Sequence, residues 1–402
     1  MIPYLALMLF WVFLGMLFNQ LRIGHKHKTL YCILAGFSLF LIMALRNVSV
    51  GTDTMRYLYE YENAEFYLVN LLRKSEIGYS YFNYGINKLG LSFQAYLAIV
   101  SIVVVLAISI LYNRYSKRPL LSYFLHINIG LFAMTMTGLR QSLAVALTIV
   151  AFISLMKNRK VSFFLLVIIA SFFHNSALAF LPVFFLKGKR IKFKSGVFIY
   201  VLCCLIFPIK GYVSLFISRI VPEIYLGYFD MTYAIQVNPL VILVAMAIPL
   251  VCLVFWPSQE DKDYQEMMSA LFLLSCVNFV VYFLALEIMM FERISLYFMM
   301  YNTILIPNVI HGIKSKEIRM IALMACIILP LAQFLISTPG GSLGIDKYKF
   351  LKRAFADDNS NIFKKTMERY KLEGYSFYYK IFENIETQIL NCEKEKGLWL
   401  DK

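Results

Sequence analysis

Long apolar runs recur along this chain and constrain it more than any other feature. Examples are "YLALMLFWVFLGMLF" (4–18), "FQAYLAIVSIVVVLAISIL" (93–111) and "LVILVAMAIPLVCLVFW" (240–256). A helix of about 20 apolar residues crosses a ~30 Å hydrocarbon layer with every backbone group satisfied internally. A water-soluble domain would lack polar surface to cover such runs, because 60% of the 402 residues are hydrophobic and only 16% charged. The mean hydropathy is +0.67. An all-α polytopic membrane protein is therefore expected, with about 12 segments near 2–20, 29–46, 93–112, 119–137, 138–156, 161–173, 176–186, 195–216, 238–256, 267–286, 293–310 and 320–338.

The net charge of +15 does not point to nucleic acid. Its lysines and arginines fall in short clusters between apolar runs, "RIGHKHK" (22–28), "RYSKR" (114–118), "KNRK" (157–160), "KGKRIKFK" (187–194) and "HGIKSKEIR" (311–319). That is the distribution of cytoplasmic loops. Alternation from an outside N-terminus puts all five on one side. The first run lacks a basic start and an Ala-x-Ala site, so it reads as an uncleaved helix. Six of the seven cysteines lie in apolar segments and Cys392 lies in the tail, with no CxxC pair, so neither a disulfide framework nor a structural zinc is expected.

Residues 161–186 decide the topology. As one helix they would put "KGKRIKFK" outside, so two short segments meeting at His174-Asn175-Ser176 are expected, with the polar trio at the outer turn. The other outer segments are then the tyrosine-rich loop 47–92, the turn at 137–140, the loop 217–237 and "EIMMFER" (287–293). Two parts follow: a membrane domain over 1–338 and a polar tail over 339–402. In the tail Phe377, Ile381, Ile385 and Ile389 predict an amphipathic helix.

Ionisable and amide groups in apolar segments are costly and mark functional paths. Here they are Arg46, His126, Arg140, Gln141, His174, Lys210, Glu287, Glu292 and Arg293. Arg46 and Lys210 also fit interfacial anchors, His126 a helix–helix hydrogen bond, and Glu292 a counter-charge for Arg293. Arg140 resists such a reading. It begins a helix in "TGLRQSL", where the macrodipole favours anions, and is better explained by an anion nearby. His174 sits at a break on the same face, and Arg293 starts another helix from it. Three arginines and a histidine on one face suit a polyanionic leaving group such as a lipid-linked pyrophosphate. Asp53 and Glu76 supply carboxylates there, either of which can serve as a base, although Asp53 also fits a turn after Gly51. No HExxH, GxSxG or Walker A motif is present.

The ordered set "RNVSVGTDTMRYLYEY" (46–61), "SEIGYSYFN" (75–83), "GLRQSLAVAL" (138–147), "ASFFHNSALAFLP" (170–182) and "ERISLYF" (292–298) resembles the EpsG-like family of Wzy-type bacterial polysaccharide polymerases, over roughly residues 1–330. The resemblance implies an enzyme of the bacterial plasma membrane that joins undecaprenyl-pyrophosphate-linked oligosaccharides at the outer face. It maps family motifs onto Arg46, Asp53, Arg140, Gln141, His174 and Arg293. In the expected site Asp53, Glu76, His174 and Arg140 are catalytic, while Arg46, Arg140, Gln141, Arg293 and Tyr297 hold the pyrophosphate or sugar. No cofactor or metal is expected. Partners would be the lipid-linked oligosaccharides, the bilayer, a chain-length regulator and a flippase, and not nucleic acid. The rival readings are a lipid-linked oligosaccharide flippase, a ligase-like glycan transferase and an O-acyltransferase. The longer tail, with "KYKFLKRAF", departs from the family pattern.

Overall fold

The computed structural model describes residues 1–20, 26–70, 76–219, 239–256, 261–288, 290–338, 344, 345 and 348, and among these there is no strand. The helices are α1 (Ile2–Gln20), α2 (Lys26–Ala44), α3 (Thr54–Glu62), α4 (Ala64–Asn70), α5 (Ile77–Lys88), α6 (Phe93–Tyr115), α7 (Pro119–Asn128), α8 (Leu131–Thr137), α9 (Leu139–Met156) and α10 (Lys160–Phe173). A 3-10 helix over Asn175–Leu186 follows, then α11 (Phe193–Ser218), α12 (Pro239–Val254), α13 (Lys262–Ala285), α14 (Met290–Gly312) and α15 (Lys316–Ser337). The expected loop 217–237 and amphipathic tail helix fall largely or wholly outside the described residues.

Six helices, α2, α6, α9, α11, α13 and α15, are long and apolar enough to cross a membrane, or seven spans if α7 and α8 count as one bent segment. Shorter apolar helices lie at Ile2–Phe18, Lys160–Phe173, Asn175–Leu186 and Ile242–Val254. The protein is thus a helical membrane protein. The sequence expectation of one helix over 119–137 is corrected to two, which meet at 61°. Gly130 makes the break with φ +89°, a left-handed conformation that ends α7.

α9 and α13 form the interior. α9 packs on α6 and α10, α13 on α14, α11 and α12, while α2 lies along α6. α11 and α15 are largely uncovered by protein and present Phe198, Leu205, Phe216, Ile321, Ile328 and Leu329 outward, as lipid-facing helices do. Polar side chains inside bond to nearby carbonyls: Thr135 Oγ1 to Phe132, Thr137 Oγ1 to Ala133 and Ser142 Oγ to Gly138. His126 is buried and meets the Tyr112 hydroxyl at 3.1 Å, a helix–helix bond between α7 and α6.

The 3-10 helix explains how so short a segment reaches far. At about 2.0 Å per residue its 12 residues extend roughly 24 Å, against about 18 Å for the same length of α-helix.

The stretch 47–92, expected as an outer loop, is largely folded into α3, α4 and α5. These pack on one another and on α6 and α10. Close approach of α5 to α10 depends on Gly78, where an added Cβ would come within 2.8 Å of Phe172 Cβ and 3.2 Å of its backbone. Gly78→Ala is expected to push α5 from α10 and to cost about 1–3 kcal/mol, read as a lowered Tm of the detergent-purified protein.

Candidate functional site

Glu76 precedes the first turn of α5 and joins three parts of the chain. Its Oε2 accepts from Arg140 Nη1 at 2.5 Å, and its Oε1 faces His174 Nδ1 at 2.7 Å. Arg140 comes from the first turn of α9, His174 from the junction of α10 and the 3-10 helix. The anion that an arginine at a helix N-terminus requires is therefore this carboxylate. Both side chains of the Arg140–Glu76 pair are 11% exposed, so their attraction is only weakly screened. Because a carboxylate only accepts, this contact places the imidazole proton on Nδ1.

Aromatic rings form the rest of the wall. The Arg140 guanidinium lies 5.6 Å from the centre of the Tyr57 ring and 5.4 Å from that of Tyr79. Such cation–π contacts favour the charged group where water is scarce. The Tyr96 hydroxyl donates to that of Tyr79 at 3.1 Å and fixes the ring.

His174 is held by its backbone. Its N–H donates to the Ala170 carbonyl, ending α10, and its carbonyl accepts from Ala177, starting the 3-10 helix. Next to it, Ser176 Oγ donates to the Tyr297 hydroxyl at 3.2 Å. Tyr297, on α14, is buried and lies within electrostatic reach of Glu76. Gln141 Nε2 donates to the Arg293 carbonyl at 2.5 Å and ties α9 to the start of α14.

Asp53 precedes α3 and makes no capping bond with its side chain. Burial raises its carboxyl above the ordinary range, opposed by the charges of Arg56 and Arg293. The structure thus brings Asp53, Glu76, Arg140, Gln141, His174, Arg293 and Tyr297 into one neighbourhood.

Arg46 is placed differently. It is wholly buried, donates to the carbonyls of Met43 at 3.1 Å and Met136 at 2.9 Å, and leaves its Nε without a partner. Its guanidinium bonds the end of α2 to the end of α8, with the hydroxyls of Tyr4 and Tyr348 in electrostatic reach. Lys210 pairs with Glu287, linking α11 to the turn after α13. Among the described residues, no group of three His, Cys, Asp or Glu side chains could hold a metal ion.

Sequence reasoning passed over Arg56 and Glu60. On α3 Arg56 Nε donates to Glu60 Oε1 at 3.0 Å, and Glu60 feels the charges of Glu76 and Asp53. The i, i+4 spacing of Arg56 and Glu60 in "TMRYLYEYE" is the sequence signal for their ion pair, but it carries no sign of burial. Burial pushes the Glu60 carboxyl from 4.5 up to about 7, against the pull of Arg56.

Two outcomes follow from this geometry. Glu76→Ala strands a nearly buried guanidinium and is expected to lower stability by about 3 kcal/mol or more. Adding Arg140→Ala is expected to recover part of that loss, so a double-mutant cycle read by Tm gives a coupling above about 1 kcal/mol. Glu60 has a raised folded pKa, so its contribution is fully present below about 4.5 and is lost as pH rises through about 7. Glu60→Gln is expected to flatten the decline of Tm over that window.

Neither the curated proteins nor the solved structures give a match. The EpsG family matches residues 29–350, from the start of α2 through the docked residues Gly344, Ile345 and Tyr348. With every element of the Glu76 cluster inside that match, the chain belongs to the EpsG family.

Proposed function

We propose that this protein polymerises undecaprenyl-pyrophosphate-linked oligosaccharide repeats into a surface polysaccharide at the outer face of a bacterial plasma membrane. Membership of the EpsG family supports a role in polysaccharide biosynthesis. The observation that carries the chemistry is the arginine and the histidine, Arg140 and His174, held together on one carboxylate, with Arg56 and Arg293 in electrostatic reach of nearby Asp53.

A pyrophosphate presents the same acceptor chemistry as Glu76 with more charge, and arginine forks grip it well. On this reading the donor's pyrophosphate engages Arg140, Arg293 and His174, and Gln141 keeps α14 and α9 in register. A hydroxyl of the next lipid-linked unit attacks C1 of the donor's reducing-end sugar. The new C1–O bond forms as the bond from C1 to the pyrophosphate oxygen breaks, and that oxygen leaves with the electron pair. The hydroxyl proton passes to a carboxylate. Both oxygens of Glu76 already serve Arg140 and His174, so Asp53 is the better base. Arg46, bonded to backbone carbonyls, positions the loop that carries Asp53 rather than gripping phosphate.

On this reading the six long apolar helices, α7 with α8 as one span, the four short apolar helices and α14 make twelve crossings, with an outside N-terminus and the five basic clusters inside. A flippase supplies the substrate and a chain-length regulator sets its product length.

The test is the surface glycan of a deletion strain. Wild type is expected to restore the ladder, whereas Arg140→Ala, present at normal level, is expected to leave single repeats on the outer face. A full ladder from Arg140→Ala sinks the site. Repeats trapped inside the deletion strain indicate a flippase, and long polymer left on its carrier indicates a ligase.

A further inference from the structure

Asp53 owes its position to the backbone of the loop before it, because its side chain makes no capping bond at the start of α3. Within that loop the Val50 N–H donates to the Asn47 carbonyl at 3.0 Å, and the Thr54 N–H to that of Gly51 at 3.2 Å. α8 supplies one outside hold, the Met136 carbonyl that accepts from Arg46 at 2.9 Å. Residues beyond α15 supply another. The Gly51 N–H, two residues before Asp53, donates to the Gly344 carbonyl at 3.1 Å. Gly344 lies so close that a Cβ there would stand 3.3 Å from Thr52 Cγ2 and 3.4 Å from the Thr52 nitrogen.

That hold has anchors of its own. The Tyr4 hydroxyl on α1 donates to the Ile345 carbonyl at 3.0 Å, and the Tyr348 hydroxyl donates to the carbonyl of Ile42 on α2 at 2.7 Å. The two tyrosine rings meet edge to face with centroids 5.5 Å apart, and the Ile345 side chain is buried. Three hydrogen bonds and a buried side chain thus tie these residues to α1, α2 and the Asp53 loop. A proton acceptor works only within hydrogen-bond reach of its donor, and a misplacement of about 1 Å can cost roughly 100-fold in rate. Turn bonds inside 47–54 fix the shape of the loop, whereas the bond from Gly51 fixes its place against the rest of the fold.

We propose that Gly344, Ile345 and Tyr348 form a clamp that positions Asp53 for proton transfer; this rests on the polymerase reading. Gly344 and Tyr348 are positioning residues and touch no substrate. Their effect reaches Asp53 through Gly51 and Thr52. It therefore falls on the chemical step and leaves the grip of Arg140 and Arg293 on the lipid-linked unit as it is.

Amide hydrogen exchange reads the clamp, and elongation reads its consequence. The double variant Tyr4→Phe, Tyr348→Phe keeps both rings and removes both anchoring bonds. Gly344→Ala acts by crowding Thr52 and leaves the tyrosines intact, so it reports even where the double variant folds poorly. In the detergent-purified full chain, exchange in the peptide 47–53 is expected to be about 5–10-fold faster in each variant than in wild type. In proteoliposomes with the lipid-linked unit, kcat per folded protein is expected to fall about 10-fold or more, with the half-saturating substrate concentration unchanged. Tyr200→Phe removes a comparable bond, from α11 to the Met246 carbonyl on α12, and is expected to leave both readings at the wild-type level. Unchanged exchange in both variants overturns the clamp, and so does faster exchange with kcat kept or a fall in kcat that Tyr200→Phe reproduces. Wild type that elongates nothing overturns the polymerase reading, and faster exchange in both variants then still supports the clamp as the hold on this loop.

Discussion

The contact of Glu76 with Arg140 and His174 is the constraint on which the rest of the site depends. One carboxylate meets two nitrogen donors from helices more than thirty residues apart, at 2.5 and 2.7 Å. Remove it and a cation sits between two aromatic rings with no anion, a state costing several kcal/mol in a low-dielectric place. The helices around it are arranged to keep the three groups in reach. Gly78 lets α5 touch α10, the break after Phe173 turns His174 inward, and Gly138 starts α9 so that Arg140 lies in its first turn. Charged groups ordered beforehand need no rearrangement to meet a ligand.

Much of this was legible because it breaks ordinary rules. Arginine in a helix's first turn and histidine at a helix break are both costly, and both residues fell in the cluster. Helix positions were also readable where a basic loop, a cap or a glycine bounds an apolar run, as at 138–156, found as Leu139–Met156. Arg56 and Glu60 stayed hidden for the opposite reason. An i, i+4 pair on a short polar helix has the pattern of a solvated surface, and only the packing of α5 and α6 over α3 buries it. The bend at Gly130 escaped because the run on both sides is mostly apolar, and hydropathy carries no angle. Arg46 had the sequence of an interfacial anchor. Its partners are carbonyls of Met43 and Met136, and backbone acceptors leave no trace in side-chain identity.

The chain treats its buried polar groups in two ways. Some buried hydroxyls bond back to their own helix, as those of Thr135, Thr137 and Thr148 do, which costs little and fixes nothing between helices. Others reach across elements, with Ser176 meeting Tyr297, Gln141 meeting Arg293 and Tyr112 meeting His126.

The residues after α15 return to the beginning of the chain. Tyr4 donates to the Ile345 carbonyl, Tyr348 to that of Ile42, and Gly51 to that of Gly344, closing the region around Arg46. During synthesis these partners arrive last. Some 300 residues separate Arg46 from Tyr348, which at ~5–20 residues per second is roughly 15–60 s of translation. Through that interval the first hairpin carries a cation awaiting its cover, so insertion of the early helices must proceed without the contacts that finally seal them.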